Sequence, residues 1–259
     1  MRFEGKVGVF SGASSGMGYL CSECFVREGG SVVMADINEA TLGDAVARVN
    51  ALRPGSAVGV VCDVRQYEQV RRVCDRAVEA FGRIDVVSSF AGGAETRMLN
   101  RQIHEYFGHE GPWEFPDVPI EVFDWSIDVN LKGQFYFAHA ALGQMRAQHS
   151  GVIVLIGSIT GEEGCETNVA YSTSKSGAMN GLCKSLARVG AHYGVRCVSV
   201  APGPVLTRAA MANMKTLEGR AADPQEIVDL VLYVASEQGA FINGVNILID
   251  GGRNAGRTM

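Results

Sequence analysis

The sequence predicts an α/β protein built on one doubly wound parallel sheet of about seven strands. Short runs of β-branched residues alternate with longer segments of helical period along the chain. Most strand candidates are continuously apolar, as expected when helices cover both faces of a parallel sheet. The chain has no internal repeat, low-complexity tract or linker, so we expect residues 1–259 to form a single domain.

The predicted strands and helices alternate from the first strand to the last. Asp223-Pro224 marks the start of the last helix, because aspartate is a good N-cap and proline suits the first helical position. Strands are predicted at Val7–Ser11, Ser31–Ala35, Ala57–Cys62, Ile84–Phe90, Val152–Gly157, Arg196–Val200 and Asn246–Ile249. Helices are predicted at about 17–29, 39–51, 66–81, 121–147, 170–193 and 224–237.

The composition indicates a packed globular protein. Of the 259 residues, 47% are hydrophobic and 20% are charged, an apolar content above that of disordered chains. The 23 Lys and Arg against 28 Asp and Glu give a net charge of −5 without a basic block, which argues against nucleic acid or a membrane as partner. No apolar run approaches the roughly 20 residues that span a bilayer. With no signal-peptide pattern before the first strand, we expect a cytoplasmic protein.

Seven cysteines are spread along the chain without a framework spacing. An odd number in this arrangement predicts free thiols in a reducing compartment. Cys21 and Cys24 form a Cys-x-x-Cys pair, a pattern that can serve redox chemistry or bind metal, but no second pair or histidine cluster accompanies it. We interpret the pair as two small apolar residues on one helix face and expect no metal site.

The turn after the first strand has the pattern of a dinucleotide site. It reads Ser11-Gly12-Ala13-Ser14-Ser15-Gly16-Met17-Gly18 and leads into a helix. Glycines permit a tight turn and close approach of a pyrophosphate, and the helix N-terminus supplies unpaired N–H groups. A glycine-rich turn can also be purely structural. However, the second strand ends at Asp36, 18 residues after Gly18, where a carboxylate would accept hydrogen bonds from the adenosine ribose.

The same region favours NAD over NADP. A 2′-phosphate on the ribose would face the Asp36 carboxylate. Ser14, Ser15 and Ile37 occupy the neighbouring positions at which a basic side chain would offset that phosphate. We therefore expect NAD(H) to be the cofactor.

Tyr171 and Lys175 form a candidate acid–base pair. They stand four positions apart, at i and i+4, so both lie on one face of a predicted helix. The pKa of a tyrosine is normally about 10. An ammonium about 4 Å away contributes about 4 kcal/mol at an effective dielectric near 20, which lowers that pKa by about three units. Such a pair is also common on solvated helix faces, so its assignment depends on its neighbours.

Two further residues complete a pattern around this pair. Ser158 follows a predicted strand at the carboxyl edge of the sheet, where ligands of such folds bind. Asn130 lies in the motif Asp128-Val129-Asn130-Leu131-Lys132-Gly133. Together with the glycine-rich turn, their order and spacing resemble those of the short-chain dehydrogenase/reductase family over essentially the whole chain. The resemblance implies a single Rossmann-like, NAD-binding oxidoreductase domain.

The resemblance also implies a role for each site residue. Tyr171 would act as general acid/base, and Lys175 would lower its pKa and hold the nicotinamide ribose. Ser158 would orient the substrate oxygen, and Asn130 would hold a water in a proton relay to Lys175. The implied cofactor-binding residues are Gly12, Ser14, Ser15, Gly16, Met17, Gly18, Asp36, Asp63, Val64, Ala91, Gly92, Tyr171, Lys175, Pro202, Gly203, Val205 and Thr207.

Two positions depart from the family pattern. Ser11 stands where the family usually has threonine, an exchange that keeps the hydroxyl. Phe90 in Ser88-Ser89-Phe90-Ala91-Gly92 stands where the family usually has an asparagine that stabilises the central strands. We expect Phe90 to affect local geometry near the cofactor rather than the chemistry.

The activity implied by the resemblance is interconversion of a secondary alcohol and a ketone. Two alternatives stay open: an epimerase or dehydratase that recycles bound NAD, and a non-catalytic NAD-binding protein. Recycling relatives tend to carry a substantial C-terminal substrate domain, whereas only Arg253–Met259 follows the last strand here. The four intact catalytic positions argue against a protein that only binds NAD.

The substrate is less well determined by the sequence. The segment at about 93–120 is long and aromatic, which predicts either a lid over the substrate or a contact with a neighbouring subunit. Carboxylates between Ser158 and Tyr171 would suit a sugar or polyol through charge-assisted hydrogen bonds, or would simply be solvated. The aromatic loop instead favours a steroid or other cyclic alcohol. The candidate substrate residues are Ser158, Thr160, Trp113 and Met211.

The two long apolar helices bear on assembly. In the family, helices at the positions of 121–147 and 170–193 pair across subunits. The resemblance therefore implies a homotetramer or a dimer, and the alternative is that these helices pack only against their own sheet.

Overall fold

The computed structural model describes residues 1–94, 115–207, 214 and 216–255. Strands and helices alternate in it as the sequence predicts. The strands are β1 (Val7–Ser11), β2 (Ser31–Asp36), β3 (Ala57–Val61), β4 (Val86–Ser89), β5 (Gly151–Ile156), β6 (Val195–Pro202) and β7 (Asn246–Ile249). The helices are α1 (Gly16–Arg27), α2 (Glu39–Leu52), α3 (Tyr67–Phe81), α4 (Ile120–Ile127), α5 (Gly133–Gln148), α6 (Thr160–Glu163), α7 (Val169–Ser176), α8 (Cys183–Ala191) and α9 (Pro224–Ala235).

The seven strands form one parallel sheet in the order β3-β2-β1-β4-β5-β6-β7. The predicted doubly wound parallel sheet is therefore confirmed. The strand order reverses between β1 and β4, and in open α/β sheets ligands bind beyond the carboxyl ends of the strands at such a switch point. A ligand site is therefore expected at the loops that follow β1, β4 and β5.

Helices cover both faces of the sheet, which explains the continuously apolar strands. On one face, Phe10 and Met34 of the sheet pack with Phe25 of α1 and with residues of α2 and α9. On the other, Val9 packs with residues of α3 and α8 and with Phe137 of α5. Successive residues of β1 thus contribute to two separate cores.

The two helices predicted at 121–147 and 170–193 are not continuous, and this corrects the prediction. A π-helical segment, Asp128–Lys132, separates α4 from α5, and a second one, Gly177–Leu182, separates α7 from α8. A π segment adds one residue to a turn without interrupting the apolar face, so periodicity does not reveal it. The two segments face each other, because a Cβ added at Gly177 would lie 3.2 Å from a Leu131 methyl carbon.

Strand β4 is shorter than the predicted Ile84–Phe90. The Ile84 N–H donates to Gln148 Oε1 at 2.9 Å, and the Ile84 carbonyl accepts from Gln148 Nε2 at 2.7 Å. Because the Gln148 side chain bonds to both the N–H and the carbonyl of Ile84, this residue lies outside strand β4, although its β-branched side chain is typical of strands.

Two further sequence expectations concern cysteines and membrane spans. All seven cysteines are free thiols, and Cys21 and Cys24 both lie on α1, as the interpretation of a helical pair requires. Within the described ranges, no helix combines the length and the apolar character needed to cross a membrane.

Candidate active site

The turn between β1 and α1 forms a cradle at the carboxyl edge of the sheet. Gly12 has a φ of +62°, and a Cβ there would lie 2.7 Å from the Ala91 nitrogen. Gly16 has a φ of +55° with open space where its Cβ would be. Ser15 is the N-cap of α1 but makes no side-chain capping bond, so the first N–H groups of this helix are available to an anion. The turn therefore fits a pyrophosphate.

Asp36, the last residue of β2, is held beside this turn. Its Oδ2 accepts a hydrogen bond from the Ser14 N–H at 3.1 Å, and its Oδ1 accepts one from the Asn38 N–H at 3.0 Å. Ile37, the next residue, is exposed. The carboxylate is thus fixed next to the glycine-rich turn, as the sequence predicts for a residue that binds a ribose.

Asp63 and Val64 follow β3. The Asp63 carboxylate pairs with Arg65, with Nη2 and Oδ2 2.6 Å apart, and this bond lowers the pKa of Asp63. Val64 is buried against Gly133 at the start of α5. The sequence does not single out Arg65. Its N–H donates to Asp63 Oδ1 at 3.0 Å, and this local turn, which aspartate favours, brings the guanidinium to the carboxylate.

Phe90, which stands where the family usually has an asparagine, packs its ring against an aromatic residue of β1. Its ring lies edge-on to Phe10, with centroids 6.3 Å apart. Its N–H donates to the Ser11 carbonyl at 3.1 Å, and the Ala91 N–H donates to Ser11 Oγ at 3.3 Å. The Ser11 hydroxyl also lies 2.7 Å from Ser89 Oγ. Aromatic packing and serine hydroxyls thus join the central strands where the family usually has an asparagine.

Asn130 and Lys175 converge on Gly92. A Cβ at Gly92 would lie 2.6 Å from Asn130 Oδ1 and 3.7 Å from Lys175 Nζ, so this close approach requires glycine. The Asn130 carboxamide is buried, accepts from the Gly93 N–H at 3.0 Å, and donates to the carbonyls of Gly93 and Ser126. These bonds fix Asn130 in the first π segment next to the lysine.

Tyr171 and Lys175 lie on one face of α7, as their spacing predicts. Lys175 is only 4% exposed, and its Nζ donates to the Ile156 carbonyl at 2.8 Å. Its Nζ also lies 5.6 Å from the centroid of the Tyr171 ring. Burial lowers the pKa of Lys175 from 10.5 to about 8, whereas Tyr171 remains partly exposed at the edge of the sheet. The pair therefore places a buried amine beside an accessible phenol.

Ser158 lies two residues beyond β5 and is surrounded by donors. Its Oγ accepts from Thr160 Oγ1 at 3.1 Å and from the Thr160 N–H at 3.3 Å. Its own N–H donates to the thioether sulfur of Met179 at 3.4 Å. Met179 lies buried in the second π segment. No sequence signal pointed to this methionine, because its contact with Ser158 depends on how α7 and α8 are joined.

The residues after β6 complete the edge. The Pro202 carbonyl accepts from the Ile159 N–H at 2.9 Å, which ties this edge to the Ser158 loop. Gly203 packs on Asp250, Val205 is buried, and the Thr207 N–H donates to the Val205 carbonyl at 2.7 Å. Trp113 and Met211 lie outside the described residues, as does most of the segment at 93–120.

Two of the carboxylates between Ser158 and Tyr171 already bond to other side chains. Glu163 is buried and pairs with Arg253, with Oε1 and Nη2 3.1 Å apart. Glu162 Oε1 accepts from Asn246 Nδ2 at 3.1 Å. These two residues therefore tie α6 to β7 and to the chain after it.

Within the part of the chain that the structure describes, no three His, Cys, Asp or Glu side chains cluster in a way that could hold a metal ion. The side chains that converge at the carboxyl edge are instead a phenol, a buried amine, a hydroxyl and a carboxamide. With the cradle after β1 and the carboxylate after β2, they form an arrangement that could hold a dinucleotide next to a phenol able to exchange a proton.

Comparison with known proteins agrees with this arrangement. A family model described as enoyl-(acyl carrier protein) reductase matches residues 12–254. The chain is 31% identical over 263 residues to the 3-oxoacyl-[acyl-carrier-protein] reductase FabG of Thermotoga maritima, covering 97% of this chain and 99% of that protein. It is 32% identical over 267 residues to a trans-4-hydroxycyclohexanecarboxylate dehydrogenase of Sinomonas cyclohexanicum, covering 100% of this chain and 96% of that protein.

Solved structures show the same likeness. The crystal structure of a short-chain type dehydrogenase/reductase from Mycobacterium marinum superposes with a TM-score of 0.85 at 29% sequence identity. The match covers 97% of this chain and 96% of that one. Sequence and fold therefore agree over nearly the full length.

Proposed function

The chain belongs to the short-chain dehydrogenase/reductase family of oxidoreductases, and from this premise we propose that it is an NAD-dependent dehydrogenase that interconverts a secondary alcohol and a ketone. The observation that carries the proposal is that Lys175 lies beside Tyr171 and bonds to the Ile156 carbonyl, two residues before Ser158, at the carboxyl edge of the sheet. Bound NAD⁺ would supply the acceptor for the hydride that leaves the alcohol carbon.

In this proposal Tyr171 exchanges the hydroxyl proton of the substrate. The ammonium of Lys175 stabilises the phenolate that results when Tyr171 gives up its own proton, because an opposite charge nearby favours the ionised form. Ser158 orients the substrate oxygen. Since its Oγ already accepts both bonds from Thr160, its hydroxyl hydrogen is the part left to donate.

The cofactor would lie along the carboxyl edge. Gly12, Gly16 and Gly18 would approach the pyrophosphate, and Asp36 would accept hydrogen bonds from the adenosine ribose. The preference for NAD over NADP is supported by the fixed Asp36 carboxylate and by uncharged Ser14, Ser15 and Ile37 around it. The other proposed contacts are with Asp63, Val64, Ala91, Gly92, Pro202, Gly203, Val205 and Thr207.

Of the two substrate classes considered, we favour a cyclic secondary alcohol over a sugar or polyol. Of the three carboxylates that would recognise sugar hydroxyls, Glu162 and Glu163 already bond to Asn246 and Arg253, which leaves the exposed Glu166. Two of the relatives are named as dehydrogenases of trans- and cis-4-hydroxycyclohexanecarboxylate, and that substrate is a cyclic secondary alcohol. These observations support a substrate whose hydroxyl is carried on a ring of carbon atoms.

The test is NADH formation across a panel of cyclic alcohols, steroids, sugars and polyols, run in parallel with NAD⁺ and NADP⁺. We expect turnover of a cyclic alcohol with NAD⁺ and loss of at least about 10³-fold in Tyr171→Phe, the upper part of the range for general acid–base catalysis. Turnover that survives in Tyr171→Phe would contradict the assigned mechanism.

The panel also separates the alternatives. An enzyme that recycles its NAD would convert substrate without accumulating free NADH. A protein that binds NAD⁺ but converts nothing on the panel would favour the binding function.

A further inference from the structure

The buried side chain of Gln134 joins two parts of the candidate site. Gln134 is the second residue of α5 and is 1% exposed. Its Nε2 donates to the Asn130 carbonyl at 2.6 Å and to the Ile156 carbonyl at 3.2 Å. Its Oε1 accepts from the Ile156 N–H at 2.7 Å. One carboxamide thus bridges the first π segment and the end of β5.

Only one orientation of this carboxamide satisfies its surroundings. The Ile156 N–H must meet an acceptor, and the two carbonyls must meet a donor. Rotating the amide by 180° would set donor against donor and acceptor against acceptor inside the core, each at the cost of an unpaired buried group. Gln134 is therefore held in a fixed position.

The carbonyl that Gln134 binds is the one that holds Lys175. Ile156 oxygen accepts from both Gln134 Nε2 and Lys175 Nζ, and Ser158 follows two residues later. The groups around Lys175 Nζ are the Tyr171 ring, the Asn130 carboxamide, Gly92, and the Ile156 carbonyl to which Gln134 also bonds. Tyr171 is the titratable group in this set, and the others are uncharged.

We propose that Gln134 is a positioning residue for the reaction: by fixing both polar groups of Ile156 and the carbonyl of Asn130, it sets where Lys175 lies relative to Tyr171. This inference rests on the proposed dehydrogenase function. Without Gln134, the Ile156 carbonyl and the π segment can shift independently, and the ammonium no longer has one position beside the phenol.

The chain contains a matched control on the same helix. Gln148, at the other end of α5, bonds to the N–H and carbonyl of Ile84 at 2.9 and 2.7 Å. This is the same two-point contact with one backbone residue, but Ile84 precedes β4 and lies at the amino edge of the sheet, away from the candidate site. Replacing either glutamine should therefore reduce stability to a similar extent, so a change in kcat that occurs only in the Gln134 variant reports on the candidate site.

The experiment compares Gln134→Met with Gln148→Met, because methionine keeps the length of glutamine and removes its hydrogen bonds. For alcohol oxidation with NAD⁺, we expect kcat of Gln134→Met to fall about tenfold, which corresponds to about 1.4 kcal/mol. We also expect the acidic limb of its pH profile to move to higher pH by about one unit, since a displaced ammonium stabilises the phenolate less. Gln148→Met should keep the wild-type kcat and profile.

An unchanged pH profile in Gln134→Met, or equal changes in both variants, would overturn the proposal. A second measurement needs no turnover and covers the case in which Gln134→Met does not fold. Gln134→Asn keeps a carboxamide but is one methylene too short to bridge Asn130 and Ile156, so NMR titration of ¹³C-labelled lysine should show the Lys175 pKa raised from about 8 towards 10.5 as the freed ammonium gains water, whereas Gln148→Asn should leave it unchanged. An unchanged titration would also overturn the proposal.

The two measurements distinguish this failure from that of the proposed function. If wild-type protein converts no alcohol but the titration responds to Gln134→Asn, the dehydrogenase function is wrong while the effect of Gln134 on the position of Lys175 stands. If wild-type protein is active and neither variant of Gln134 differs from its control, the positioning role is wrong.

Discussion

Lys175 lies almost entirely out of contact with water, and its burial affects stability as well as chemistry. Burial lowers its pKa in the folded protein from 10.5 to about 8. Between about pH 8 and pH 10.5, the unfolded chain binds a proton that the folded protein has released, so the free energy of unfolding rises with pH in this window. Below about pH 8 both states carry the charge, and its burial reduces stability by about 3 kcal/mol.

At the residue scale we therefore predict that Lys175→Met is more stable than wild type at neutral pH while inactive. The gain should be about 2 kcal/mol, because loss of the bond to the Ile156 carbonyl offsets about 1 kcal/mol. Urea unfolding at about pH 7 and pH 10 measures it, and the difference between the two proteins should shrink as the pH rises. Lys184→Met, which replaces an exposed lysine, is the control. The same pH dependence in wild type and Lys175→Met would contradict this account.

At the scale of elements, the site is assembled where regular helices are interrupted. The π segment Asp128–Lys132 carries Asn130, and the π segment Gly177–Leu182 carries Met179, the partner of the Ser158 N–H. π segments occur frequently at functional sites, because one extra residue redirects the side chains around it. The second segment begins two residues after Lys175, so it also sets the direction in which the chain continues from α7 into α8.

Helix α9 shows the opposite case, an element whose start is fixed locally. Asp223 Oδ1 accepts from the Gln225 N–H at 2.8 Å, and Glu226 Oε2 accepts from the Asp223 N–H at 2.8 Å, which forms a capping box. The bonds from Arg220 and from the Asp223 N–H lower the pKa of Glu226 to about 2. The ionised Glu226 thus stabilises the fold above about pH 4.5, and this contribution is lost as the pH falls toward 2.

At the same scale we predict that Asp223→Ala destabilises the protein by about 1 kcal/mol, the usual effect of removing an N-cap side chain. Equilibrium urea unfolding measures the change. Asp44→Ala removes the same charge from an exposed position inside α2 and should cost nothing, because alanine suits a helix interior. A loss in Asp44→Ala as large as in Asp223→Ala would mean that charge, and not capping, is responsible.

At the scale of the whole molecule, α3 and α5 share a partly exposed aromatic cluster. Phe135 is 44% exposed and stacks on His139, with centroids 5.9 Å apart. Tyr67 of α3 donates to or accepts from His139 Nδ1 at 2.8 Å and lies edge-on to Tyr136. Aromatic side chains of this kind are enriched at protein interfaces, which supports the homotetramer or dimer that the resemblance to the family implies.

We accordingly predict that Phe135→Asp lowers the oligomeric state, because a buried unpaired carboxylate is costly at an apolar interface. Light scattering coupled to size-exclusion chromatography should show a dimer or tetramer for wild type and a smaller species for the variant. Leu52→Asp introduces the same charge at an exposed residue of α2 and should leave the mass unchanged. A monomeric wild-type protein would show that the aromatic cluster does not pair subunits.

Much of this protein is determined by its sequence alone, because the relevant signals are local. Continuous apolar runs located the strands, the glycines after β1 and Asp36 after β2 indicated the dinucleotide site that we propose, and the spacing of Tyr171 and Lys175 placed them on one helix face. Each of these depends on residues that are neighbours in the chain or share a helical turn. The doubly wound parallel class of the sheet and the resemblance to the family then followed without any coordinates, whereas the strand order came from the structure.

Other features were decided only by the tertiary structure. Gln134 reaches Ile156, 22 residues away, and the Ser158 N–H reaches Met179, 21 residues away. The edge-on contact of Phe90 with Phe10 likewise joins strands that are distant in sequence. Gln134 and Met179 have no local pattern that distinguishes them from ordinary core residues, since a buried amide or thioether acquires its role only from the group that packing places against it.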